Sequence, residues 1–375
     1  MMVKPQNRIF GLDLLRCFAI LLVLASHTLP LSSRNPGLET VYYNLGVIGV
    51  ELFFVLSGFL IGSILIRMYN DTSVINIRTV SSFWVRRWFR TLPNYYLVII
   101  FYNIIYFASY RGLVFSLHSN TSYFFFFQNF ISQMPDKIFT VSWSLGIEEW
   151  FYLLFPLFLF AIQFFIKRKP TGFLLVISIF IFLPLLLRII VALNNTGISW
   201  DNGYRKIIPL RLDAIAYGVL MSYAWYYYTD FIKKQQLVLF ISGVLLLSAV
   251  ICYQHFYYYN FISKTLLLSF FSIASVLLIP GLISVNKPNK HILSIVTFIS
   301  IISYSIYLLH MLVLLLVQIV EHKFNISPPV YVTIIIIWLV TFFVSYLQYY
   351  FFESRVTRIR DHLNFGYFKK QKKVL

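Results

Sequence analysis

The chain has 375 residues, of which 59% are hydrophobic, 19% aromatic and only 12% charged, with a formal net charge of +18. An apolar share so far above the ~45–50% of water-soluble domains excludes an ordinary soluble globule. The basic excess sits between apolar runs, so it speaks for membrane topology and anionic lipid, and against nucleic acid as a partner.

Ten apolar runs of membrane-spanning length follow one another: Phe10–Leu29, Gly46–Ile66, Thr91–Ser109, Val141–Ile166, Thr171–Leu193, Ile207–Tyr228, Gln236–Cys252, Phe261–Ile283, Ile295–Val320 and Val330–Phe351. They predict an all-α, polytopic membrane protein of about ten transmembrane helices. One membrane-embedded domain is expected over residues 1–353 and a basic cytoplasmic tail over 354–375. The N-terminus, the even-numbered connections and the tail carry 21 Lys and Arg, from Lys4 to Lys373, whereas the opposite connections carry 7: Arg34, Arg111, Lys137, Arg205, Lys206, Lys264 and Lys323. The positive-inside rule then places both termini in the cytoplasm and His27 toward the exoplasmic face.

The first run carries Asp13, Arg16 and His27, and each ionisable group costs at least ~2.5–3.5 kcal/mol to insert into hydrocarbon. Arg16 and His27 are eleven positions apart, which on a helix is three turns plus about 20°, so they share a face with roughly 16 Å between them. They mark two depths of one polar track. A blander reading stands beside this: Arg16 snorkels while pairing with Asp13, and His27 ends the helix at the headgroups. The run is too long and too charged for a signal peptide, and no A-x-A site follows it. The two cysteines, Cys17 and Cys252, both fall in predicted spans and offer neither a disulfide framework nor metal-ligand spacing.

The second run opens with GVELFFVLSGFLIG. Gly58 and Gly62 form a small-xxx-small pair suited to close helix packing, and Glu51 either lines the His27 cavity or favours a helix start. Next comes FWVRRWFRTLP, where Arg86, Arg87 and Arg90 alternate with aromatic anchors. Arg87 and Arg90 share a helical face, and guanidiniums offer paired donors to phosphate oxygens; lipid headgroups are the alternative ligand. The aromatic stretch YFFFFQNF after the third run suits a segment dipping into the interface. In SWSLGIEEW, Glu148 and Glu149 point about 100° apart, so only one can face an interior cavity. In RLDAIAYG, Arg211 and Asp213 are two apart and would not face each other on a helix, so each asks for a partner such as Glu148 or Glu51. Finally, Ser303, Tyr307 and His310 in SYSIYLLH form one polar stripe at mid-membrane.

Taken in order and spacing, Arg16-x10-His27 after GLD, GVELFFVLSGFLI, RRWFRTLP, SWSLGIEEWFYLLFP, RLDAIAYG and SYSIYLLH resemble the acyltransferase-3 family of integral membrane acyltransferases, from about Arg8 to Glu353. The resemblance implies a ten-helix bacterial plasma-membrane enzyme that moves an acyl group, most often acetyl, from cytoplasmic acetyl-CoA to a hydroxyl of a cell-envelope saccharide or lipid-linked saccharide. It implies His27 as the catalytic histidine, with Arg16 the other essential member of the motif, and Glu148 as the matching glutamate, here expected to orient the His27 ring. Arg86, Arg87 and Arg90 are expected to bind the donor, and no metal is expected. One departure is FFESR near the end, where the family often has a proline after the glutamate, so the packing of the tail is open. The rival class is a transporter or flippase, whose pathways also carry buried charge, although no second copy of the Arg16–His27 or WSLGIEEW elements marks an inverted repeat.

Overall fold

A computed structural model describes residues 8–32, 36–71, 75–110, 117–133, 139–194, 197–256 and 260–362. Lys4, Arg34, Arg111, Lys137 and the tail lysines Lys369, Lys370, Lys372 and Lys373, which entered the charge comparison, lie outside the described residues. Among the described residues there is no strand. The helices are α1 (Phe10–Thr28), α2 (Pro36–Asp71), α3 (Ile77–Tyr110), α4 (Leu117–Phe124), α5 (Ser142–Ile162), α6 (Lys169–Asn194), α7 (Leu212–Tyr227), α8 (Thr229–Phe256), α9 (Phe261–Thr265), α10 (Leu267–Ile283), α11 (Lys290–Lys323), α12 (Val330–Gln348) and α13 (Ser354–His362).

Seven of the helical stretches are long and apolar enough to cross a membrane, which makes the chain an all-α, multi-pass membrane protein. The other three predicted runs are helical but differently built. Thr91–Ser109 is the second half of α3, a helix of 34 residues that carries the arginine cluster in its first half and Pro93 inside it. Ile207–Tyr228 becomes a short 3₁₀ turn, Ile208–Leu210, followed by the 16-residue α7. Phe261–Ile283 is broken at Leu266 into α9 and α10. Apolar length alone does not reveal where a helix begins, because an apolar turn buried among other helices reads like the helix it precedes.

Close approach of α2 and α7 is built on glycine. A Cβ added at Gly58 would overlap the Ile215 carbonyl, one at Gly62 the Ser222 side chain and one at Gly218 the Val55 carbonyl. The small-xxx-small pair read from the sequence therefore does seat a neighbouring helix, and it brings α7 against the middle of α2.

The aromatic segment at the end of α4 and just beyond it is held by side-chain donors. Tyr95 and Tyr96 of α3 donate to the carbonyls of Tyr123 and Phe124, both at 2.9 Å, and Trp150 of α5 donates to the carbonyl of Phe126 at 3.0 Å. Irregular backbone in an apolar setting needs such partners. Asn129 then ties this segment onward, its side chain donating to the Trp143 carbonyl at 3.2 Å and its carbonyl accepting from Ile208 N–H at 3.0 Å. That fixes the start of α5 against the turn before α7. Near the end, Glu353 is buried and accepts from Ser305 of α11 at 2.9 Å, and the chain continues into α13 without the proline.

Candidate active site: two cavities that share a wall

Arg16 and His27 do point from one side of α1, but into two different cavities. The first, about 110 Å³, is lined by Arg16 of α1, Arg87 and Arg90 of α3, and Glu148 and Tyr152 of α5. The second, about 310 Å³, is lined by His27 and Ser26 of α1, Tyr43 of α2, Trp143 of α5, and Asp201 and Arg205 from a π-helical turn before α7. Among the described residues, only Val50 and Tyr307 line both. A helical rise of 1.5 Å per residue over α1 accounts for the separation.

The first cavity carries three guanidiniums against one carboxylate, so it suits an anion. Arg16 donates to Ser300 Oγ at 3.4 Å and lies 3.8 Å from Asp13, which is itself bonded by Arg8 and by Ser300. Asp13 thus holds Arg16 from behind, as the i, i+3 reading suggested, while Arg16 still lines the cavity. Glu148 accepts from Tyr152 Oη at 2.7 Å, and that hydroxyl is also 2.6 Å from Ser57 Oγ. Arg86 is half-buried and is not in the cavity wall, which separates it from Arg87 and Arg90.

His27 is fixed through one ring nitrogen. Its Nδ1 lies 2.8 Å from the Val23 carbonyl, which can only accept, so Nδ1 carries the hydrogen. The other nitrogen, Nε2, then holds the lone pair. Ser26 Oγ, 3.1 Å from Nδ1, donates to the same carbonyl at 2.7 Å. Among the described residues no carboxylate is bonded to the ring, and Glu148, expected to orient it, lines the other cavity. Sequence spacing gave no sign that the local i−4 carbonyl would serve instead. His310 of α11 packs edge-on against His27, ring centroids 5.0 Å apart, with its own Nδ1 on the Ile306 carbonyl at 3.1 Å.

At the mouth of the second cavity, Arg205 donates to Asp201 at 2.6 Å and lies 4.5 Å over the Trp143 ring, while Tyr43 Oη donates to the same carboxylate at 2.7 Å. Burial pushes the Asp201 carboxyl up, but Arg205 and Lys206 outweigh it and hold the group well below the usual carboxylate range. The opposing partner raises Arg205 against its own burial. In the sequence reading Arg205 and Lys206 entered only as exoplasmic charge, and Asp201 was not singled out. The i, i+4 spacing of Asp201 and Arg205 was the available signal.

A second charged cluster touches neither cavity. Glu51 of α2, Arg188 of α6, and Arg211 and Asp213 at the start of α7 are all completely buried. Arg211 pairs with Glu51, and Arg188 donates to Asp213 at 2.8 Å and to the Leu210 carbonyl at 2.7 Å. Ser272 donates to Glu51 at 2.8 Å and Ser269 to Asp213 at 3.0 Å. Glu51 therefore does not line the His27 cavity. Arg211 and Asp213 also come within 3.6 Å of each other, because Arg211 precedes the helix with φ −131° and can turn back. Among the described residues no cluster of His, Cys, Asp or Glu could hold a metal ion.

Comparison with known proteins adds a family. The sequence model described as "Acyltransferase domain", of the acyltransferase-3 type, matches residues 9–348. The "Putative peptidoglycan O-acetyltransferase YrhL" of Bacillus subtilis is 36% identical over 174 residues, covering 42% of this chain and 25% of that protein. The "O-acetyltransferase OatA" of Staphylococcus aureus is 30% identical over 227 residues, covering 57% of this chain and 34% of that protein. The chain thus spans about a quarter to a third of the curated relatives it matches. No solved structure matches it.

Proposed function

Because the chain belongs to the acyltransferase-3 family, we propose that it is a membrane O-acyltransferase that takes a short acyl group, acetyl in the first instance, from cytoplasmic acyl-CoA and passes it to a hydroxyl of an envelope saccharide. The observation that carries this reading is the pair of cavities meeting at Val50 and Tyr307, one rich in guanidinium and the other holding a histidine with a free lone pair. Relatives named as O-acetyltransferases, one of them of peptidoglycan, support the group transferred and the class of acceptor. The positive-inside charge pattern supports a cytoplasmic first cavity and an exoplasmic second one.

On this reading Arg87 and Arg90 hold the donor phosphates, since a guanidinium matches phosphate oxygens with paired N–H groups. Arg16 lines the path of the pantetheine arm. His27 Nε2 takes the proton of the acceptor hydroxyl as its oxygen attacks the thioester carbonyl; the C–S bond breaks, and the proton returns to the leaving thiolate. The products are an acyl ester and CoA thiol. The Val23 carbonyl, bonded to Nδ1–H, holds the ring in the tautomer that presents the Nε2 lone pair. Transfer by way of an acyl-histidine uses the same nitrogen as nucleophile. Tyr43 and Trp143 give the second cavity flat aromatic faces and Asp201 a hydrogen-bond acceptor, a combination that suits a sugar.

The test is transfer of labelled acetyl from acetyl-CoA by purified protein in vesicles, followed by mass and NMR analysis of envelope glycans from cells with and without the chain. Label appearing on a saccharide hydroxyl is expected. Glycan movement across the vesicle with no acyl transfer would instead make the chain a transporter.

A further inference from the structure

Donor and acceptor cavities are separated by very little, and the separating residues have a chemistry of their own. Val50 and Tyr307 are each 7% exposed, and among the described residues they alone line both cavities. Tyr307 is fastened across the gap: its hydroxyl lies 2.6 Å from Ser144 Oγ and donates to the Val141 carbonyl at 3.0 Å, which ties α11 to the start of α5. Its ring packs against Phe53, 6.3 Å between centroids, and against His310 at 5.9 Å, which in turn packs on His27. The other shared lining residue, Val50 of α2, is β-branched and has one strongly preferred rotamer in a helix.

We infer that Val50 and Tyr307 form an acyl gate, a constriction that the acyl end of the thioester must enter to reach His27 and that sets the length of acyl group the enzyme accepts. The inference rests on the donor and acceptor assignment above. With the phosphates at Arg87 and Arg90 on one side of this wall and His27 on the other, the thioester carbonyl is delivered at the wall itself. The acyl chain then lies against Val50 and the Tyr307 ring. Close-packed apolar walls do not stretch freely, so each added methylene must displace atoms already in contact. A two-carbon acyl group asks for little displacement, whereas a longer one forces the Tyr307 hydroxyl off Ser144 and Val141. The same two bonds, when intact, close the passage between the cavities to water and ions. Among the described residues nothing else lines both cavities: Arg16 and Glu148 line the first only, and His27 and Trp143 the second.

The experiment compares acetyl-, butyryl- and octanoyl-CoA as donors for purified wild-type protein, Val50→Ala, Val50→Leu and Tyr307→Phe, reading transfer for each donor and equilibrium binding of each donor. Wild type should favour acetyl steeply. Val50→Ala should raise the butyryl-to-acetyl ratio about tenfold or more, the discrimination that one or two methylenes carry in an apolar pocket. Val50→Leu should lower that ratio, and Tyr307→Phe, which keeps the ring but loses both bonds, should raise the share of acetyl-CoA lost to hydrolysis. Binding constants should change little, because the phosphate contacts are untouched. If Val50→Ala does not fold, the opposite shift in Val50→Leu and the hydrolysis ratio of Tyr307→Phe still decide. Wild-type transfer with one length profile across all folded variants would overturn the gate alone. Failure of wild type to bind any acyl-CoA would overturn the donor assignment, and the gate with it.

Discussion

Two groups of charged residues lie within the helical body, and in the sequence they look alike. Arg16, Arg87, Arg90 and Glu148 surround a cavity, with three positive groups to one negative. Glu51, Arg188, Arg211 and Asp213 are buried among α2, α6, α7 and α10, with two positive groups to two negative, and line neither of the two cavities. In the balanced group every charge is paired with an opposite one, which suits a role in specifying how four helices meet. The unbalanced group faces its cavity with an excess of positive charge, which suits an outside anion. Intramembrane charge is therefore not evidence of a site in itself; surplus charge facing a cavity is.

The contrast breaks most visibly by removing Arg211. Arg211→Leu leaves Glu51 buried without its partner, and loss of one member of a buried pair costs ~3–5 kcal/mol. The expected outcome is loss of monodisperse protein after extraction, with partial recovery in the Glu51→Leu, Arg211→Leu double variant. Normal folding and thermal stability of the single variant would mean that the buried cluster does not specify the packing. In the open cavity the balance reverses. Arg87→Ala and Arg90→Ala should fold normally yet weaken donor binding by ~1.5–3 kcal/mol each, the range of a charge-assisted hydrogen bond. The deficit should shrink as salt rises, and Lys should restore only part because it lacks the planar fork. Unchanged CoA affinity in titration calorimetry would return these arginines to lipid headgroups. Arg86→Ala, outside the cavity wall, should leave donor affinity unaltered.

A smaller effect sharpens the comparison at the mouth of the second cavity. Asp201 has a folded-state pKa below its ordinary 3.8 because Arg205 and Lys206 outweigh burial. A depressed carboxyl contributes stability above its unfolded pKa and loses it as pH falls through the folded value. Local opening of the turn between α6 and α7, read by protease cleavage, should therefore increase below about pH 4. Asp201→Asn should open the turn at neutral pH and remove that dependence. A pH-independent cleavage rate in the wild type would detach Asp201 from the turn.

What the sequence revealed, and what it hid, follows from the range of each interaction. Helix-long apolar runs and the i, i+4 glycine pair at Gly58 and Gly62 are local patterns, and they foretold the helical body and a close helix contact on α2, though not that α7 makes it. The shared face of Arg16 and His27 is likewise a matter of helical angle. Their division between two cavities was not legible, because the wall is made by Val50 and Tyr307 from other helices. Glu148 was assigned to His27 by its neighbourhood in the motif, yet α5 aims it at Tyr152 and the arginines. Arg211 and Asp213 were expected to face apart because both were counted inside one helix, whereas the chain enters that helix only after Arg211. Arg188 carried no local signal at all; its partners come from α7 and α10.

The central claim is that binding and chemistry are divided between the two cavities, with His27 responsible for the second alone. His27→Ala measures it. On one purified sample, donor affinity should match the wild type, because Arg87 and Arg90 lie across the wall, while acyl transfer should fall by about 10²–10⁴-fold, the range of a lost general base, and further if an acyl-histidine forms. The loss should appear in turnover rather than in the donor's KM. Near-wild-type transfer by the folded variant, or loss of donor binding in step with transfer, would contradict the division.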